Sequence, residues 1–209
     1  MIWLMEELLR LESDIKYFVG VEDRSYQRWL MEEFLKILEE AEFLFGPRDR
    51  SYEMLEPRIT ERFFGQAFEV SPRKMRIYLT SHAKTRYMAS YELAHEAIHM
   101  LSPIHWGEAT MLEEGVGVYF ARKYVKRAYG VAYDNAVYPH NYGPALRSVS
   151  TLLAKSEFLI KELRVHQPVI SKIDETLLVE VAGVEPDLAR ILCADFETYG
   201  ERTPGRADK

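Results

Sequence analysis

Three residues in the stretch YELAHEAIHML, Tyr91 to Leu101, are of types that do chemistry together: His95, Glu96 and His99, in the order H-E-x-x-H. A helix turns about 100° per residue, so side chains four apart share a face and the two histidines can grip one cation between them. Neutral imidazole suits zinc, and a catalytic zinc takes three protein ligands and leaves a fourth position to water. Glu96, next to the first histidine, falls beside that water, where a carboxylate can take its proton. The bare pattern arises by chance in about two chains in a hundred of this length and composition, so its surroundings decide its weight. Tyr91, Ala94, Ile98 and Leu101 recur at helical spacing, which makes the stretch a buried helix. Two histidines and a glutamate in such an interior are costly unless compensated, and a metal ion is the simplest compensation.

A third ligand is needed, and several residues compete for it. Glu114, in MLEEGVGVYF, would lie early in a second helix returning across the histidine pair, and gives a His2Glu site. His105 follows in HEAIHMLSPIH, and Glu113 and Glu108 are further alternatives. Glu113 also reads as an exposed first-turn acid favoured by the helix dipole. His82 and His166 read as ordinary polar residues.

With His95, Glu96, His99, Glu114 and Gly115 in place, the chain resembles the gluzincin metallopeptidases over about Met75 to Ala128. In that family H-E-x-x-H precedes a helix bearing a glutamate ligand, commonly in a Glu-Gly context. The resemblance implies one zinc ion on His95, His99 and Glu114, Glu96 as general base, a peptide or protein substrate, and a small sheet above the active-site helix. It also implies an oxyanion donor after the third ligand, for which VYPHNYGPALRSV offers Tyr142 first, then His140 and Tyr138. The chain departs from thermolysin-like members at Val118, where an Asp orients a ligand histidine, so that partner stays unassigned. The rival metzincin pattern would use His105, but it requires Gly where this chain has Ser102, further restricted by Pro103. A second reading keeps the fold and the zinc in a catalytically silent protein-interaction or regulatory domain. The intact Glu96, which holding zinc does not require, argues for the enzyme.

The rest of the chain must position these groups. Its 209 residues, 47% hydrophobic and 29% charged, suit one core-forming domain over residues 1–200 with a polar tail at 201–209. The expected class is α+β, a mostly helical zincin-like domain with a small β-sheet just before the H-E-x-x-H helix. Amphipathic helices are expected at Met1–Phe18 and Ser25–Phe45 within residues 1–46, the second stopped by Gly46-Pro47. Within residues 58–128, Gln66–Val70 and Arg73–Thr80 alternate as strands about a turn at Ser71-Pro72, so that a strand edge could hold an extended peptide beside the metal. Ser81 or Thr85 can cap the H-E-x-x-H helix, and Leu112–Lys126 forms the next one. Gly115 and Gly117 each weaken that helix by about 1 kcal/mol relative to Ala, a sign of close helix approach. Residues 140–200 carry further helical stretches at Ala145–Leu163 and Leu177–Tyr199.

Net charge −6 with no dense Lys/Arg run argues against nucleic acid. Glu6, Glu7, Arg10, Glu12 and Asp14 interrupt the apolar start, so neither a signal peptide nor a membrane span is expected there. The lone Cys193 excludes an intrachain disulfide and reads as a small core residue, in keeping with a reducing cytoplasm.

Overall fold

Helix α1, Arg24–Phe45, exists because Leu30, Phe34, Ile37, Leu38, Ala41, Leu44 and Phe45 fall every three or four residues and are all buried. Gly46 ends it at φ +95°, a conformation that other residues rarely adopt, and Pro47 follows. These features belong to a computed structural model, which describes residues 24–60, 65–81, 83, 85–104, 107–130 and 141–199. The expected helix at Met1–Phe18, the tail at 201–209, and His82, His105, Tyr138 and His140 lie outside the described residues.

The molecule is α+β. Two short strands, β1 (Glu53–Met54) and β2 (Arg58–Ile59), precede a hairpin of β3 (Gln66–Ser71) and β4 (Lys74–Leu79). Both β1 and β2 run parallel to β4, Met54 opposite Met75 and Ile59 opposite Leu79, while β3 runs antiparallel to it, Ala67 opposite Ile77. β4 is therefore central, and among the described residues no strand pairs with the outer edge of β3. The hairpin turns at Arg73, in the left-handed region at φ 59°, and its N–H donates to Glu69 Oε1 at 2.6 Å. The two brief strands β1 and β2 are too short to show alternation, and the sequence did not signal β1 at all.

β4 leads almost directly into helix α2, Arg86–His99, whose N-cap Thr85 accepts from Met88 N–H. Helix α3, Met111–Tyr129, starts at Thr110, which accepts from Glu113 N–H, and ends at Gly130 in the left-handed region. Beyond it come α4 (Tyr142–Leu153), α5 (Leu159–His166), a 3-10 turn at Ile170–Lys172, α6 (Glu175–Glu180) and α7 (Pro186–Cys193). The expected single stretch Ala145–Leu163 is thus two helices. The break falls at Ser156, whose hydroxyl takes the Phe158 N–H that a continuous helix would use. Leu177–Tyr199, by contrast, divides where Gly183 and Pro186 mark a turn in the sequence: Gly183 has φ 58° and Pro186 opens α7.

α2 lies between α1 and α3, and α4 packs on the far side of α3. One buried apolar cluster draws on all of α1 to α7 and on β4. Inside it, Glu33 of α1 accepts from Ser90 Oγ at 2.8 Å and Tyr124 OH at 3.0 Å, a polar tie between α1, α2 and α3. The close approach read from Gly115 and Gly117 is present on both sides of α3. A Cβ at Gly115 would meet the Ala145 carbonyl oxygen of α4 at 2.7 Å, and one at Gly117 would meet His95 Nδ1 of α2 at 2.9 Å.

Candidate metal centre

α2 and α3 bring His95, His99 and Glu114 together, and their ligand atoms all lie within 4.8 Å of one another. His95 Nε2 is 3.4 Å from His99 Nε2 and 3.2 Å from Glu114 Oε2, and His99 Nε2 is 3.6 Å from Glu114 Oε1. The side chains of His95 and His99 are only 12% and 17% exposed. Glu114 Oε2 is sealed from solvent and makes no well-aligned hydrogen bond, although His95 Nε2 is close by. Ligand bonds of about 2.0–2.2 Å in a tetrahedral arrangement put neighbouring donor atoms about 3.3 Å apart, so this spacing fits one small cation. A buried carboxylate with one oxygen lacking an aligned donor, and an imidazole nitrogen beside each of its oxygens, is the expected surrounding of such an ion.

The electrostatics point the same way. Burial works against a charge on His99, but Glu114, Glu113 and Glu96 outweigh it and push the pKa up to about 10. A cation can take the place of that proton. Burial also opposes the charge on Glu114, yet His99, His95 and a hydrogen bond from Tyr142 hold its pKa below the ordinary carboxylate value.

Glu96 lies against the same group and is buried, which raises its pKa against the pull of His99 and His95. Its carboxylate also accepts from Ala67 N–H of β3, so the outer edge of that strand faces the site. One turn earlier on α2, Glu92 accepts from both the N–H and the hydroxyl of Thr80, at 2.7 and 2.5 Å, and pins the end of β4 to the helix. Gly65 passes close to both acids, where a Cβ would lie 3.2 Å from Glu92 Oε2 and 3.8 Å from Glu96 Oε1.

Tyr142, at the start of α4, sets its ring edge-on to His95 with centroids 5.7 Å apart, and its hydroxyl hydrogen-bonds to Glu114. It is seated from behind by Phe196, 4.7 Å between centroids, while Asn141 donates to the Phe196 carbonyl. Residues 194–196 are in turn fastened across the entry to α3, with Met111 N–H on Ala194 O and Phe196 N–H on Ala109 O.

Of the other candidates, Glu108 pairs with Lys172 on the surface at 2.9 Å, and His105 and His140 fall among the residues not described. Glu113 departs from its expected place as an exposed acid: it is fully buried, with Oε1 3.1 Å from His99 Nδ1, on the side of the ring away from the other two ligands. Sequence reasoning also passed over Glu92 and Ala67. Glu92 could have been found from its spacing, four residues before Glu96 on the same helix face, whereas a main-chain N–H carries no signal in its side chain.

Comparison with protein-family models, with curated proteins and with solved structures returned no match. The chemistry of the site therefore rests on its geometry.

Proposed function

We propose that this chain is a zinc-dependent peptidase of the gluzincin type. The observation that carries the reading is the triangle of donor atoms on His95, His99 and Glu114, with the carboxylate of Glu96 alongside. A zinc ion held there supplies an acidified water and polarises the scissile carbonyl. Glu96 takes the water proton, helped by the burial that raises its pKa towards the working range of a general base, and later returns it to the leaving amine. Tyr142 donates its hydroxyl hydrogen to the developing oxyanion, leaving Glu114 to do so; a single such donor is worth about 3 kcal/mol in other enzymes. The outer edge of β3 holds the substrate extended, by main-chain hydrogen bonds, across Glu96.

The test is elemental analysis of the purified protein together with turnover of a mixed peptide library. One zinc per chain is expected, lost in Glu114→Ala and kept in Glu96→Gln, with cleavage abolished in both. Zinc retained in Glu114→Ala and lost in His105→Ala would overturn the ligand set. Zinc binding with no cleavage of any peptide by the wild type would leave a zinc-stabilised interaction domain in place of an enzyme.

A further inference from the structure

Glu113 and Glu114 are consecutive on α3, about 100° apart around the helix axis, and they straddle the His99 ring. Glu114 reaches the Nε2 side and Glu113 the Nδ1 side. Glu113 is completely buried, and its second oxygen, Oε2, has no hydrogen-bond partner. An ionised carboxylate in that setting is costly unless its one contact matters. Its backbone is fixed as well, because its N–H is the one capped by Thr110. Behind it lies the charge of Arg164, a buried guanidinium within electrostatic reach.

We propose that Glu113 is a positioning residue for the metal centre: it accepts the Nδ1 proton of His99, which leaves Nε2 as the lone-pair donor and locks the ring towards the cation. The inference rests on the metal reading above and assigns the orienting partner that Val118 cannot supply. A ligand histidine that donates its far N–H to a carboxylate is both fixed in tautomer and made more basic. Here the orienting acid comes from the residue directly before a ligand, so one turn of one helix supplies both the grip on the metal and the brace behind it.

The experiment compares wild type, Glu113→Gln and Glu113→Ala for zinc affinity, by competition with a chromophoric chelator, and for the visible spectrum of the cobalt-substituted protein. Far-UV circular dichroism of the metal-free forms runs in parallel. Glu113→Ala should bind zinc about 100-fold more weakly, and Glu113→Gln, whose amide oxygen can still accept from Nδ1, about 10-fold more weakly. Both should show shifted cobalt bands with the helix signal retained, which a role in packing alone would not produce. If the Ala variant fails to fold, the near-isosteric Gln variant decides by the same two readouts. Wild-type zinc affinity and an unaltered cobalt spectrum in the folded variants would overturn the assignment alone. A wild type that takes up no zinc would overturn it together with the metal reading.

Discussion

His95 owes its place to a residue with no side chain. The ring lies so close to Gly117 that a Cβ there would sit 2.9 Å from Nδ1 and 3.0 Å from Cε1. Gly117→Ala removes a helix cost of about 1 kcal/mol and adds a clash worth about 1–3 kcal/mol, so the clash wins unless the ring turns aside. If it turns, Nε2 leaves the proposed metal position. The expected outcome is a zinc affinity at least tenfold lower in chelator competition, with the metal-free protein little changed in thermal unfolding. Gly115→Ala should behave differently, because besides the Val149 side chain, 2.5 Å away, its Cβ meets the backbone of Ala145 at 2.7 Å, which cannot rotate aside as a ring can. There the loss should appear as stability, about 2 kcal/mol in denaturant titration. The sequence marked both glycines as places of close approach, because Gly inside a helix needs a reason. It did not say which neighbour each one admits, since that depends on the rotation of α3 about its axis.

At the scale of elements, the helix ends are gathered by one side chain of α5. The Arg164 guanidinium donates to the carbonyls of Phe45, Gly46 and Pro47 at 2.9 Å each, to Pro168 at 2.7 Å and to Leu101 at 3.4 Å. It thus ties the end of α1 to the chain just past α2, two residues beyond His99. A lysine cannot reproduce that planar fork, so Arg164→Lys should destabilise the fold by about 3 kcal/mol, measured by urea unfolding. Unchanged stability in that variant would mean water replaces the fan without loss. None of this was legible in the sequence, because carbonyls more than sixty residues away leave no mark in residue type. What was legible is the periodic part. α1, the β3–β4 hairpin, α2 and α3 stand close to where spacing put them, and Thr85 is the cap. The apolar spacing of Ala145–Leu163 ran through a real break, since periodicity does not register a serine that diverts one N–H. His95, His99 and Glu114 were readable because their chemistry is in their side chains; the orienting role of Glu113 was not, because an acid in a first turn is ordinarily solvated.

For the molecule as a whole, pH provides a test of the metal centre. In the metal-free protein the folded-state pKa of His99, about 10, stands above its ordinary value of 6.5. Its stabilisation is therefore complete below pH 6.5 and is lost as pH climbs towards 10. Glu114 has the opposite sign: held below its ordinary value, it stabilises above pH 4.5 and is lost on acidification. Glu92 and Glu96, both raised, add a decline that begins above pH 4.5. Thermal midpoints of the metal-free protein should accordingly fall between pH 7 and 10. With saturating zinc the decline due to His99 should vanish, because the ion already holds the ring in its deprotonated form. A metal-free midpoint that is flat across that range would contradict the crowding of acids around His99. The strap at residues 194–196 has a consequence for biosynthesis. Tyr142 rests on Phe196, so a growing polypeptide from which α2, α3 and Tyr142 have emerged lacks the ring that seats this tyrosine until residues 194–196 follow. On the peptidase reading proposed above, synthesis of residues 194–196 would be the step that completes the seat of this tyrosine.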